Sequence, residues 1–263
     1  MADKQGVTVQ DVWTWLDEAA PFHTAEDFDN AGLLLGDLGA QVHRILFCVD
    51  VTPAVLDEAH AVGAELIVSH HPLMFGGISR LHYADYEGRV LLTAVGERLN
   101  LIAAHTNLDK AHGGIGDTLA EALELAKCKQ VDEFVRMGTL QIPMEDGQLA
   151  AKVSEALKAR VRQYGEAKEP ISQVAVAPGA YGVGAQAALQ AGAQAYVVGE
   201  IKHHEILAAC AQGLVVLEAG HFATEAPGMA ALFRRFKTEA ERKGWDVQAF
   251  SALKAPFAGA LLL

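Results

Sequence analysis

Two rhythms of apolar residues run along the chain. Val9, Val12, Trp13, Leu16 and Ala20 recur at helical spacing behind Thr8, so residues 8–20 read as a capped amphipathic helix. Short continuous apolar runs at 45–51, 65–68 and 101–104 read instead as buried strands. Thr52-Pro53 supplies an N-cap and a first helical position, opening a helix to about Val62, and residues 88–99 form another. Residues 22–36 read as a loop with an acidic, turn-forming knot, Asp27-Phe28-Asp29-Asn30-Ala31-Gly32. After the turn Gly113-Gly114-Ile115-Gly116, Asp117 caps a helix with Leu119, Ala122, Leu123 and Ala126 on its apolar face. Strands alternating with helices predict an α/β fold with mostly parallel sheets.

The pattern restarts near Gln130. It predicts a strand at 135–142, a helix at 148–161, a polar exposed loop at 163–170 and a strand at 171–177. A glycine-rich turn at 178–184 leads to a short Ala-rich helix and a strand at 195–198. Then come a helix at 204–211, a strand at 214–217, a long helix at about 226–243 and a last strand near 245–250. The halves echo each other. Gly63-Ala64, an apolar run and His70-His71 match Gly192-Ala193, an apolar run and His203-His204, while His105-x-x-x-Asp109 matches His221-x-x-x-Glu225. The expected organisation is two related α/β domains, residues 1–130 and 131–263. Residues 214–263 return to the first if His221 and Glu225 bind beside His70.

Composition narrows the function classes. Half of the 263 residues are hydrophobic and a fifth are charged, as in an ordinary globular protein. A net charge of −12 with no basic block disfavours a broad nucleic-acid-binding face. A small phosphorylated substrate stays compatible, because a bound metal inverts the local sign of an acidic site. Cys48, Cys128 and Cys210 show no metal-binding spacing and an odd count, which points to a reducing compartment. Residues 1–5 lead into no apolar leader and no run is long enough to span a bilayer, so a cytoplasmic protein is expected.

Histidine gathers at three strand exits: His70 and His71, His105, and His221. Two exits add a carboxylate four residues later, Asp109 and Glu225. This mixture of imidazole and carboxylate suits Zn, Fe, Mn or Co, and a carboxylate can bridge two ions in a hydrolytic site. The plainer alternative is a set of unrelated surface or core histidines. Neighbouring residues at a strand exit point apart, so His70 and His71 are expected to serve different ions. One of His203 and His204 is expected to border the site. Gly182-Val183-Gly184-Ala185-Gln186-Ala187 fits a dinucleotide-binding pattern, but it lies too far beyond the strand end at Ala177 for that turn.

Five motifs together carry a resemblance: Asp29-Asn30-Ala31-Gly32-Leu33, Ser69-His70-His71-Pro72-Leu73-Met74-Phe75, His105-Thr106-Asn107-Leu108-Asp109, Gly199-Glu200-Ile201-Lys202-His203-His204 and Gly220-His221-Phe222-Ala223-Thr224-Glu225. In this order they are similar to the YbgI-type family, the NGG-interacting-factor-like proteins, many of them labelled GTP cyclohydrolase I type 2. The resemblance implies two related α/β domains around a dinuclear metal centre in a cytoplasmic homohexamer. It implies His70, His71, Asp109, His221 and Glu225 as ligands of two divalent ions, Glu225 bridging, and His105 as a catalytic residue at the edge. It also implies a small-molecule substrate, a nucleotide, with hydrolytic opening of the GTP imidazole ring and release of formate. The turn Pro178-Gly179-Ala180-Tyr181-Gly182 departs from the family's tighter glycine turn, which puts anion binding there in doubt. The chain is also too short for the domain that some members insert between the halves. The competing class is a non-catalytic metal-binding scaffold or regulatory protein acting through protein partners.

Overall fold

The computed structural model describes residues 5–255; most of the amino-terminal stretch read above as lacking a leader, residues 1–4, lies outside them. The chain forms two compact units, Met1–Ala111 with Met229–Leu263, and His112–Gly228. The sequence reading divides the chain after residue 130. The compact units divide earlier because the helix Ile115–Ala122 buries Leu119 and Ala120 in the second unit's core. The return to the first unit begins at Met229, inside the last helix.

In the first unit a five-stranded sheet runs in the order Gln248–Ala252, Arg44–Cys48, Leu66–Ser69, Asn100–Ala103, Gly32–Leu35. The first four strands are parallel and Gly32–Leu35 is antiparallel. Alternation along Arg44–Cys48 assigns its residues to two faces. Leu46 and Cys48 pack with Ile67 and Leu101 against Val55, Leu56 and Ala59 of the helix Pro53–Val62 and Val90 and Ala94 of Tyr86–Gly96. Phe47 meets an aromatic cluster instead: Phe236 and Phe233 of the long helix His221–Lys243 at 5.3 and 5.8 Å between ring centroids. Trp15 of the helix Val9–Ala19 and Trp245 complete that layer, 5.1 and 5.9 Å from Phe236.

Local chemistry sets the helix starts. Thr8 Oγ1 accepts the Asp11 N–H at 3.2 Å while Asp11 accepts the Thr8 N–H at 2.8 Å, a reciprocal cap. Thr52 Oγ1 takes the Val55 N–H at 3.3 Å ahead of Pro53. The Gly-Ala echo has a physical basis. Gly63 and Gly192 both turn the chain with positive φ (64° and 92°), and the Ala64 and Ala193 N–H groups each close back on the preceding helix, at Ala59 and Ala188.

The second unit carries a six-stranded mixed sheet, in the order Ala126–Gln130, Arg136–Met144, Ile171–Ala177, Ala195–Val198, Val215–Glu218, Arg162–Tyr164. Its centre is parallel and its flanks antiparallel. The helix Asp146–Leu157 covers one face through Leu149, Val153 and Leu157; Ala185, Ala188 and Ala209 from two further helices cover the other. No helix among the described residues is long and apolar enough to cross a membrane.

Several elements differ from the expectations. Gly32–Leu35 and Arg162–Tyr164 are edge strands where loops are expected, because each borrows its order from one neighbouring strand rather than from its own composition. Ala126–Gln130 is a strand rather than a helix end, as Glu124 at φ 57° and Leu125 lead out of the helix. Asp117 sits inside the first turn of Ile115–Ala122, where it accepts the Gly113 N–H at 2.7 Å and holds Arg136. The long helix begins at His221, not near residue 226.

The aromatic layer makes a stability prediction. Phe236→Ala is expected to cost about 3–5 kcal/mol, the range for truncating a buried aromatic. It should lower the unfolding midpoint followed by fluorescence of Trp15 and Trp245, both in contact with that ring.

Candidate functional site

The first unit delivers its donors where the parallel ladder runs out. His70 and His71 follow the strand Leu66–Ser69, and their N–H groups donate to Cys48 O and Val49 O at 3.1 and 2.9 Å, carrying the strand register past its last residue. The Ser69 hydroxyl donates to His71 O at 2.8 Å and tightens the exit. On the next strand, Ala104 N–H donates to Ser69 O at 2.9 Å, and His105 then opens the short helix Thr106–Lys110. Asp109 lies one helical turn beyond His105.

All three imidazoles are anchored through Nδ1. His70 Nδ1 meets Ala104 O at 2.8 Å, His71 Nδ1 meets Asp50 Oδ1 at 2.7 Å, and His105 Nδ1 meets Asp29 Oδ1 at 2.8 Å. A carbonyl or a carboxylate only accepts, so each Nδ1 carries a proton and Nε2 is the nitrogen that each ring turns away from its anchor. This is the arrangement that orients a histidine towards a metal and raises its basicity. Asp29 is itself buried, which favours its neutral form. Hydrogen bonds from His105 and Thr106 outweigh that and hold its carboxyl well below the usual carboxylate range. His105 thus faces a fixed anion.

The rings of His70, His71 and His105 lie 4.9–5.5 Å apart between centroids, and each offers a nitrogen within 4.8 Å of the other two. Asp109 Oδ1 is 3.6 Å from His70 Nε2, and both atoms are buried. An imidazole nitrogen and a carboxylate oxygen brought together away from solvent are a pair that can hold a cation. The donor set, three imidazole nitrogens with a carboxylate, fits a divalent transition metal. His105, assigned from sequence to the edge, presents its ring alongside the other two.

In the second unit, His221 and Glu225 are one turn apart on the helix His221–Lys243, with Nε2 and Oε1 at 3.0 Å. Because the helix starts at His221, their spacing puts both side chains on one face. His221 Nδ1 lies 3.4 Å from Glu200 Oε1. Glycines press against this pair. A Cβ on Gly179 (φ +58°) would fall 2.5 Å from Glu225 Oε1 and 3.2 Å from His221 Nε2. A Cβ on Gly199 would meet Gly179 O at 2.5 Å and Thr224 Oγ1 at 2.7 Å. Thr224 ties the layers, accepting the Gly179 N–H at 3.1 Å and donating to His221 O at 2.7 Å. Gly179 and Gly199 therefore back the His221–Glu225 pair, whereas Gly182 and Gly184 of the nucleotide-like pattern close on Glu205 and Ile201 and on Tyr181 and Tyr196.

His203 and His204 open the exposed start of the helix His203–Ala211, five residues beyond the end of the strand Ala195–Val198, and stand outside the metal-capable groups among the described residues. The echo with His70-His71 fails there because the first pair follows its strand at once. Sequence reasoning missed the roles of Asp50, Asp29 and Glu200. Asp50 follows a strand two residues past Cys48, and Asp29 sits in the acidic knot, but their pairing with His71 and His105 joins positions far apart in the chain.

A sequence model of the family described as Duf34/NIF3 (NGG1p interacting factor 3) matches residues 7–256. A Streptomyces coelicolor protein named GTP cyclohydrolase 1 type 2 homolog is 32% identical over 254 residues, covering 91% of this chain and 89% of its own. Among solved structures, the Staphylococcus aureus hypothetical protein SA1388 is 26% identical with a TM-score of 0.90, over 96% of this chain and 99% of that one. The protein ybgI, titled as of unknown function, is 25% identical with a TM-score of 0.85, over 95% of this chain and 100% of that one.

The close approach at Gly179 is testable. Gly179→Ala combines left-handed backbone strain with a clash on Glu225 and is expected to cost roughly 1–3 kcal/mol in thermal or denaturant unfolding. Adding Glu225→Ala should recover part of that loss, read as a coupling in a double-mutant cycle.

Proposed function

The chain belongs to the Duf34/NIF3 family, and on that premise we propose that it is a divalent-metal-dependent hydrolase acting on a nucleotide, with GTP as the first candidate. The metal ligands in this reading are His70, His71 and Asp109 in the first unit and His221 and Glu225 in the second, serving two ions of Zn, Fe, Mn or Co. The observation that carries it is the pair of imidazoles of His70 and His71, each anchored through Nδ1 so that Nε2 is the nitrogen turned away from the anchor, beside the buried carboxylate of Asp109. The name of the Streptomyces relative supports the choice of GTP, and with it opening of the imidazole ring with loss of formate.

Bound divalent ions would supply Lewis-acid polarisation and lower the pKa of water towards neutrality. The chain's own residues supply orientation and proton handling. Asp50 and Ala104 O fix the rings of His71 and His70, so neither has to reorganise when an ion arrives. His105, backed by the ionised Asp29, is placed to take a proton at Nε2 and return it, the role of a general base and acid. Glu200 steadies His221 through Nδ1. A hexameric assembly in the cytoplasm belongs to the same reading, and light scattering is expected to give about six times the 28.0 kDa chain mass.

The ligand assignment predicts that His70→Ala and Glu225→Ala each lower the metal content measured by elemental analysis, and full retention in both would refute it. Catalysis is tested with the chelated protein supplied again with Mn, Fe or Zn and given GTP and a nucleotide panel. Metal-dependent release of formate from GTP is expected. Metal retention with no turnover on any nucleotide would overturn the hydrolase reading in favour of a metal-binding scaffold.

A further inference from the structure

The stretch after the histidine pair leaves large apolar side chains in solvent. Phe75 is 59% exposed and Phe28 67%, and Ile78, Leu81, Tyr83 and Tyr86 are exposed as well. Apolar side chains concentrated in this way mark a surface that is covered in use. Two of them are also ordered with respect to the donor cluster. The Phe75 ring stands edge-on to His105, at 5.8 Å between centroids and 83° between planes, and Phe28 lies 6.3 Å beyond Phe75. A row of rings therefore leads outward from His105. Phe75 also lines a cavity of about 330 Å³ together with Leu73, Ile78, Arg80, Leu81 and Leu91, large enough for a small molecule. Asp85 and Glu87 line it too, so its charge does not select a polyanion.

We propose that Phe75, with Phe28 behind it, is a specificity-determining residue that stacks on the flat ring of a heteroaromatic substrate, a purine base among them, and seats that ring beside His105. The proposal deepens the hydrolase reading and rests on it for the identity of the site. A ring is the fitting occupant because both phenylalanines leave most of their surface exposed while Phe75 packs on His105. Anything stacked on Phe75 is thereby brought to the histidines. Stacking would also account for two phenylalanines kept in water at a position where a polar residue would cost nothing in folding.

The test uses the full chain, metal-loaded, with guanosine monophosphate as probe and ribose 5-phosphate as the ringless control, affinities being read by ligand-detected NMR. Phe75→Ala is expected to weaken guanosine monophosphate binding about tenfold, the scale of one base–aromatic stack, and Phe75→Tyr to retain it. Ribose 5-phosphate affinity and metal content should not change. Equal affinity in wild type and Phe75→Ala, or no guanosine monophosphate binding to the wild type, overturns the proposal. So does a fall in assembly mass in Phe75→Ala with ligand affinity intact, which would assign the rings to contact between copies. Absence of GTP turnover alongside Phe75-dependent binding would sink the hydrolysis and leave the stacking role standing.

Discussion

An imidazole can present one nitrogen to a metal in a fixed direction only if its other nitrogen is held. In this protein that requirement is met three times over in a space of a few ångströms, by Ala104 O, Asp50 and Asp29. Most of the first unit's architecture serves those three anchors. The parallel register that pairs Ser69 with Ala103 also puts Ala104 O in front of His70, and the step from Cys48 to Asp50 puts a carboxylate in front of His71. Asp29 reaches His105 from a loop, and three further hydrogen bonds, from Asn30 N–H and from the N–H and hydroxyl of Thr106, keep it in place. These are charge-assisted contacts in a buried setting, so they are shielded from the screening that makes surface pairs weak.

The second unit solves the same problem by packing. His221 and Glu225 share one helix face, and two glycines let the backbone of the neighbouring turns come within contact distance of them. A side chain at either glycine would occupy space already taken by Glu225, Thr224 or the opposing backbone. The glycines at 179 and 199 thus act through what they leave out. Glycine permits the close approach of backbone to a carboxylate that a side chain would block.

The acidic balance of the chain and its buried donors are compatible in part because two carboxylates of the first unit, Asp29 and Asp50, are held by imidazoles. Glu26 of the same unit is paired as well, with Lys110 at 2.6 Å. The apolar layers of the sheet, with Cys48 buried among them and its thiol pushed up by burial, run up to His70, which is fully buried. In low dielectric, oriented donors bind a cation more strongly than the same groups would in water.

Much was legible in the sequence because its causes are local. Apolar periodicity marked the helices Val9–Ala19, Pro53–Val62 and Asp146–Leu157 and the central strands, and Thr8 and Thr52 marked two helix starts through bonds spanning three residues. The histidines at strand exits and the carboxylates four residues on stood out for the same reason. The edge strands Gly32–Leu35 and Arg162–Tyr164 did not, since their order comes from one partner distant in the chain. Neither did the true start of the last helix, which turned a supposed loop motif into two side chains on one face. Sequence by itself determined which residues can donate to a metal and roughly where the backbone ends a strand. Only tertiary structure decided which nitrogen of each histidine is anchored, because that depends on acceptors at 29, 50 and 104 brought near by sheet register and loop packing.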